Sequence, residues 1–318
     1  MMLSDYTETL EKKRKEISDW MKAKRSEVPI PIYGSVDVRD SGWKVAVVDA
    51  NHFPAGFNNV SEENIEELST LFKDHIQRSH PGCRWVHIYP ESHTRNQAYV
   101  ENISAIKGII EAAGFACTVG SPSLNGLKAL HGISGPLMLA GTALNDDEEL
   151  TVNGKVPDLI LLNNDLTDGS IPGVTSTNVT PPPHMGWHRR RKSQHYDALK
   201  PYIQEMAEIL GIDPWHLIPD WFVSENKCLS EEACRTKLAA EIDDFLDELR
   251  KKYSSLGIDR EPTVVMKNDS GTYGLGGMML TSGQQTAAEK GLQQLCSWQA
   301  LVQRMTLMAG GGINKENA

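Results

Sequence analysis

A β-branched run, TVVMK (263–267), ends on Lys267 and passes straight into NDSGTYGLG (268–276), which carries Gly271, Gly274 and Gly276. A lysine at a strand edge followed by such a loop can set one positive charge and several backbone N–H groups around a phosphate, since glycine lets the backbone fold close to a ligand. The loop is not a Walker A sequence, because no G-K-[ST] closes it, and no G-x-G-x-x-G opens a helix after a first strand. Glycines also serve tight turns, so a structural role stays open. The second basic group is GWHRRRKSQH (186–195), with Arg189, Arg190, Arg191 and Lys192 in one run. Such a run is either a solvated face or a clamp for carboxylate or phosphate, which the planar fork of arginine suits.

Other candidates are dispersed. Arg39 in SVDVRDSG and Arg95 in ESHTRN are single basic residues in polar surroundings. Asn51, Asn58, Asn59, Asn96, Asn163 and Asn164 could orient the polar groups of an amino acid, or could simply make turns. Cys83, Cys117, Cys228, Cys234 and Cys296 are scattered and form no C-x-x-C pair, and the histidines lack partners at zinc spacing, so reduced structural thiols are expected. No G-x-S-x-G elbow points to a serine hydrolase.

These residues need elements to place them. A charged helix is expected over 4–27, with Leu10, Ile17, Trp20 and Met21 as a thin apolar stripe. KVAVVDA (44–50), WVHIY (85–89), FACTVG (115–120), DLILLNN (158–164) and TVVMK read as strands. Helices are expected after Ser61, over 97–113 up to Gly114, and over 194–210 and 230–252. Strands alternating with helices imply crossover connections and a largely parallel sheet. Ligands of such sheets sit beyond the carboxyl ends of the strands, where DANHFPAGFNN, PESHTRN, NNDLTDG and Lys267 with its loop all fall, which points to one shared cleft. Residues 121–157, rich in Gly, Ser, Asn and Asp, read as an irregular insertion.

A chain of 318 residues, 40% hydrophobic and 23% charged, can bury a sizeable core in two or three domains. A net charge of -10 argues against nucleic acid or an anionic membrane surface as the main partner. No apolar run approaches the roughly 20 residues of a membrane helix, and the N-terminus lacks the apolar stretch of a secretory signal. A cytoplasmic protein is expected.

SVDVRDSGWKVAVVDANHFPAGFNN, PESHTRN, LILLNNDL, HMGWHRRRKSQHYDAL, LGIDPW and VVMKNDSGTYGLG together closely resemble the proteobacterial-type glutamate–cysteine ligase family, itself similar to ATP-grasp ligases; the resemblance runs from about residue 4 to Gly276. It implies an α/β fold with an N-terminal, largely parallel sheet domain (1–175), a partial ATP-grasp-like nucleotide-binding domain (176–276) and an atypical tail (277–318). It further implies ATP-dependent ligation of glutamate to cysteine through an acyl phosphate, giving γ-glutamylcysteine for glutathione synthesis, with ATP and Mg2+ required. Lys267, Arg189 and Arg190 are then the catalytic candidates, and Lys267, Ser270, Gly271, Thr272, Tyr273, Gly274 and Gly276 hold ATP. Arg39, Asn51, Asn58, Asn59, Arg95, Asn96, Asn163, Asn164 and Lys192 are the candidates for binding glutamate and cysteine.

ATP-grasp enzymes usually hold magnesium on acidic residues and an asparagine after the glycine-rich loop. Here 277–318 offers only Glu289 and Glu316, and its pattern predicts a helix over 283–308, a glycine-rich tail and no strands. The metal ligands are unassigned; Asp49, Glu91 or Asp165 could stand in for them. Composition favours a chain truncated or altered after Gly276, and therefore little ligase turnover. The alternatives are another ATP-grasp carboxylate–amine ligase, or a relative that binds nucleotide or amino acid without catalysis.

Overall fold

The computed structural model describes residues 3–92, 95–174, 177–225, 231–270, 278–287 and 304–310. In chain order these form α1 (Leu3–Glu27), β1 (Ser35–Asp40), β2 (Val45–Asn51), α2 (Ile65–Ser79), β3 (Trp85–Pro90), α3 (Gln97–Ala112), β4 (Ala116–Val119), β5 (Ala129–His131), β6 (Pro136–Met138), β7 (Thr142–Leu144), β8 (Leu150–Val152), β9 (Leu159–Asn163) and β10 (Val179–Thr180). Then come α4 (Lys192–Leu210), β11 (Trp221–Glu225), α5 (Glu232–Ser255), β12 (Thr263–Asn268), β13 (Met278–Leu280), α6 (Gln284–Ala287) and β14 (Arg304–Gly310). The chain divides into two compact units, and both are discontinuous in sequence where sequential domains were expected. One comprises Ile30–Ser35 and Asn51–Arg189; the other comprises Met1–Pro29, Val36–Ala50 and Arg190–Ala318.

The unit of Asn51–Arg189 is built on a four-stranded parallel sheet in the order β10-β9-β3-β4. Its central strands are continuous apolar runs, as strands covered on both faces must be. Every residue of β9 is buried. Val86, Ile88, Leu159 and Leu161 share one cluster with Ile103, Ile106 and Ile110 of α3 and Phe72 and Ile76 of α2. The helix expected after Ser61 begins with a 3-10 turn at Glu62–Asn64, and α2 follows. The stretch 121–157, expected to be irregular, carries two short hairpins, β5–β6 and β7–β8. Its apolar residues are the reason: Leu130 and Leu137 pack into the α2–α3 cluster, and Leu150 packs with Ile160 and Leu162. Asn125 adds a polar stitch, accepting from the Thr142 N–H at 3.1 Å and donating to the Thr142 carbonyl at 2.6 Å.

The other unit holds an antiparallel sheet in the order β11-β14-β12-β13. Two expectations fail here. KVAVVDA does not join the parallel sheet; β2 pairs with β1 in a separate two-stranded sheet, and it alternates half-buried and buried residues. Val48 from its buried face packs against Tyr196 of α4 and Trp221 of β11. The segment after Gly276 is not strandless either. It supplies β13 and β14; of the helix expected over 283–308, α6 forms the start, residues 304–308 belong to β14, and 288–303 lie outside the described residues. β14 lies between β11 and β12 and pairs with both. Backbone groups matched along both edges outweigh the local helical pattern of this stretch. Leu238, Ile242, Leu246 and Leu249 of α5 cover the sheet together with Val264, Met266 and Leu280.

On β3, the buried His87 ring bonds Thr118 Oγ1 through Nδ1 at 2.9 Å and the Gly120 carbonyl through Nε2 at 3.0 Å. Burial lowers its pKa from 6.5 to about 4 despite that carbonyl contact. Because the unfolded chain binds a proton at higher pH than the native ring does, stability is full above pH 6.5 and declines as pH falls toward 4. Denaturant unfolding of the wild type should lose about 2–3 kcal/mol over that window. His87→Gln should show a flatter dependence, whatever its absolute stability.

Candidate active site

The start of α4 is where the chemistry gathers. Helix α4 opens at Lys192, and its first amides are met by one residue from the end of β12. The Lys192 N–H donates to the Asp269 carbonyl at 2.8 Å. The Ser193 N–H donates to Asp269 Oδ1 at 2.8 Å, and the Ser193 hydroxyl donates to Oδ2 at 2.9 Å. Asp269 is fully buried and Ser193 nearly so. An anion at a helix N-terminus meets unsatisfied N–H groups and the positive end of the helix dipole, which is why a carboxylate can be withdrawn from water there.

Around this junction stand three cations. Arg190 donates from Nη2 to the Ala50 carbonyl at 2.9 Å. Burial pulls its pKa down, and the Asp49 charge on β2 opposes that pull. Lys192 is only 6% exposed. Burial lowers its pKa to about 8; Lys267 and Arg190 push in the same direction, while Asp49 and Asp269 oppose. His195, one turn along α4, is also pulled down, by burial first and then by Arg190, so its ring favours the neutral form. Tyr196 donates its hydroxyl to the Val48 carbonyl at 2.6 Å, which ties α4 to β2. Asp49 accepts from the Ala50 N–H at 2.9 Å. The arrangement concentrates positive charge at one helix start with two carboxylates beside it, which suits a phosphate or carboxylate ligand.

The expected residues distribute as follows. Arg190, Lys192 and Lys267 are brought together, close enough for the charges of the other two to act on Lys192. Ser270 follows them, its N–H turned onto Asn268 Oδ1 at 3.3 Å. Gly271, Thr272, Tyr273, Gly274 and Gly276 lie outside the described residues. Arg39 is exposed on β1, and Arg95 and Arg189 are exposed in the parallel-sheet unit. In that unit Asn58 donates to Asn59 at 3.3 Å on the surface. Asn51 accepts from the Phe53 N–H at 3.1 Å, Asn164 from the Leu166 N–H at 2.9 Å and Asn96 from the Tyr99 N–H at 3.3 Å, so each of these amides shapes a turn or a helix start. Asn163, buried at the end of β9, donates to the Pro54 carbonyl at 2.5 Å, and its own carbonyl accepts from the Tyr99 hydroxyl at 2.8 Å. That hydroxyl also accepts from the Glu91 N–H at 2.7 Å, which joins the ends of β3 and β9. The expected single sheet edge bearing all four polar clusters is not found: β2, β3 and β9, and β12 belong to three different sheets.

Sequence reasoning missed Asp269, Ser193 and His195. All three lie within motifs already singled out, but only the pairing of the β12 end with the α4 start gives the first two a role. Asp49, named above as a stand-in metal ligand, sits instead within reach of the basic cluster. Asp165 accepts from the N–H and hydroxyl of Thr167 at 3.0 and 2.7 Å. Among the described residues no group of three or more His, Cys, Asp or Glu side chains is placed to hold a metal ion.

The structure thus combines a parallel-sheet α/β unit with a second unit that gathers lysine and arginine around a helix start. The family model described as GshA, glutamate-cysteine ligase, matches residues 7–293, and the chain belongs to that family. The match extends beyond Gly276, where the resemblance in the sequence was seen to end. A crystal structure provisionally described as a gamma-glutamylcysteine synthetase from Methylobacillus flagellatus KT superposes with a TM-score of 0.85 at 29% identity, covering 95% of this chain and 73% of that one. No curated protein matches the chain.

Burying Lys192 opposes folding at neutral pH. Its folded pKa, about 8, lies below the ordinary 10.5, so native stability should rise as pH climbs from about 8 toward 10.5. Lys192→Met should therefore raise the melting temperature at pH 7 and abolish that rise. A lower melting temperature for Lys192→Met at pH 7 would contradict the account.

Proposed function

We propose that this chain uses ATP to join the side-chain carboxylate of glutamate to the amine of cysteine. Membership of the glutamate–cysteine ligase family supports the reaction, and the Arg190–Lys192–Lys267 cluster is the observation that supports its location. In the first step a glutamate carboxylate oxygen bonds to the terminal phosphorus of ATP, and the bond from that phosphorus to the bridging oxygen breaks, releasing ADP. In the second the cysteine amine bonds to the acyl carbon, phosphate departs with the acyl oxygen, and the amine loses a proton. Phosphoryl transfer of this kind leaves the protein mainly to position the reactants and to offset charge on the oxygens in flight.

Lys267 and Lys192 are assigned to phosphate oxygens and Arg190 to phosphate or the glutamate carboxylate. Asp49 limits the repulsion among these cations before the ligand arrives. Lys192, with a pKa of about 8, is charged in most molecules at pH 7 and can bind an anion; a bound anion would raise that pKa and complete its protonation. Magnesium serves glutamate–cysteine ligases generally, but the described carboxylates form no ligand set for it. Arg39, Arg95, Arg189 and the asparagines remain proposed contacts for the amino acids. Cys83, Cys117 and Cys234 are free thiols, in keeping with a reducing, ATP-supplied cytoplasm; among the described residues no helix is long and apolar enough to cross a membrane.

ADP release should require ATP, glutamate and cysteine together, and γ-glutamylcysteine should accumulate in step with ADP. Lys267→Ala should lower kcat/KM for ATP by about 100-fold or more, the scale of losing one charged contact to the reacting group. Release with a different amino-acid pair would support another carboxylate–amine ligase. ATP binding with no release would support the account in which the segment after Gly276 impairs catalysis.

A further inference from the structure

The residue preceding α4, Arg191, puts no side-chain acceptor over the first turn of that helix. The acceptors come instead from the residue just past β12, through both the carbonyl and the carboxylate of Asp269. Lys192 is the first residue of the helix so capped, and Lys267 lies near the end of β12, two positions before Asp269. The two lysines are far apart in sequence and repel one another. Without a fixed link between their backbones, the easiest relief of that repulsion is for the α4 start to move off β12. Asp269 is that link. It is 0% exposed and Ser193 is 4% exposed, so water cannot substitute for either partner.

We propose that Asp269 is a positioning residue, a helix cap supplied from β12 that holds Lys192 and Lys267 as a pair against one phosphate group. The proposal rests on the functional reading above, which makes that phosphate part of ATP. The charged groups acting on Lys192 are Asp49 from β2, Arg190 from the segment before α4, Lys267 from β12 and Asp269 just beyond it. Asp269 contributes charge as well as geometry, since its carboxylate raises the affinity of Lys192 for a proton.

The test is calorimetric titration of the full chain with ATP, alongside melting temperature and steady-state kinetics. Ser193→Ala removes the hydroxyl donor and leaves every cation in place. It should weaken ATP binding by about 5- to 30-fold, the range expected for one buried hydrogen bond, and raise KM for ATP more than it lowers kcat. Ser193→Thr, which retains the hydroxyl, should recover most of that affinity. Asp269→Asn keeps an acceptor for the Ser193 N–H but removes the charge, so the alkaline loss of ATP binding should move to lower pH; this variant decides the matter if Ser193→Ala does not fold. A lower melting temperature in Ser193→Ala with ATP affinity unchanged, or an Asp269→Asn alkaline limb that does not move, would overturn the proposal while leaving the function intact. A wild-type chain that binds no ATP would overturn both, and that result is distinguishable because it precedes any substitution.

Discussion

A carboxylate with no exposure to water must be matched by donors, and in this protein the match at Asp269 governs the antiparallel unit. Its two oxygens take the N–H and hydroxyl of Ser193, and its carbonyl takes the N–H of Lys192. The start of α4 is thereby registered on the end of β12. Tyr196, one turn on, secures the same helix to β2 through the Val48 carbonyl. With these two ties in place, Asp49, Arg190, Lys192, His195 and Lys267 come into electrostatic influence around the start of α4. Burial disfavours charge on Lys192 and Arg190, and like charges nearby add to the cost at Lys192. An arrangement that opposes folding in this way is expected where an anion is to be bound, because the ligand relieves what the fold leaves unbalanced.

The parallel-sheet unit follows a different logic. Its strands are covered by α2 and α3 through an isoleucine-rich core, and its polar residues collect at strand ends. There the amides of Asn51, Asn96 and Asn164 shape local turns, and Asn163 with the Tyr99 hydroxyl binds the ends of β3 and β9 to the Pro54 segment. Any amino acid binding at these strand ends would meet side chains already held in place, with little ordering cost left to meet.

The segment after Gly276 illustrates how a local pattern can mislead. Its apolar spacing matches a helix, yet β14 runs between β11 and β12 and pairs with both. Without it, β12, the strand that carries Lys267 and leads into Asp269, would lose its partner on that side. The segment is thus part of the frame that supports the charged cluster.

What the sequence determined by itself was local. The apolar runs of β3, β9 and β12, the spacing of α1 and α3, and the basic and glycine-rich segments at Arg190–Lys192 and Lys267 were all legible, because strand and helix periodicity and the chemistry of a side chain are properties of short stretches. Tertiary structure decided which strands share a sheet. It moved β2 out of the parallel sheet and β14 into the antiparallel one, and it turned 121–157 from loop into hairpins that complete the core. It also decided that Asp269 and Ser193 matter. Both lie in motifs that the sequence singles out, but nothing local gives them these roles, which arise from a hydrogen-bonded pairing of residues 76 positions apart, and burial of a charge is fixed only when distant segments close over it.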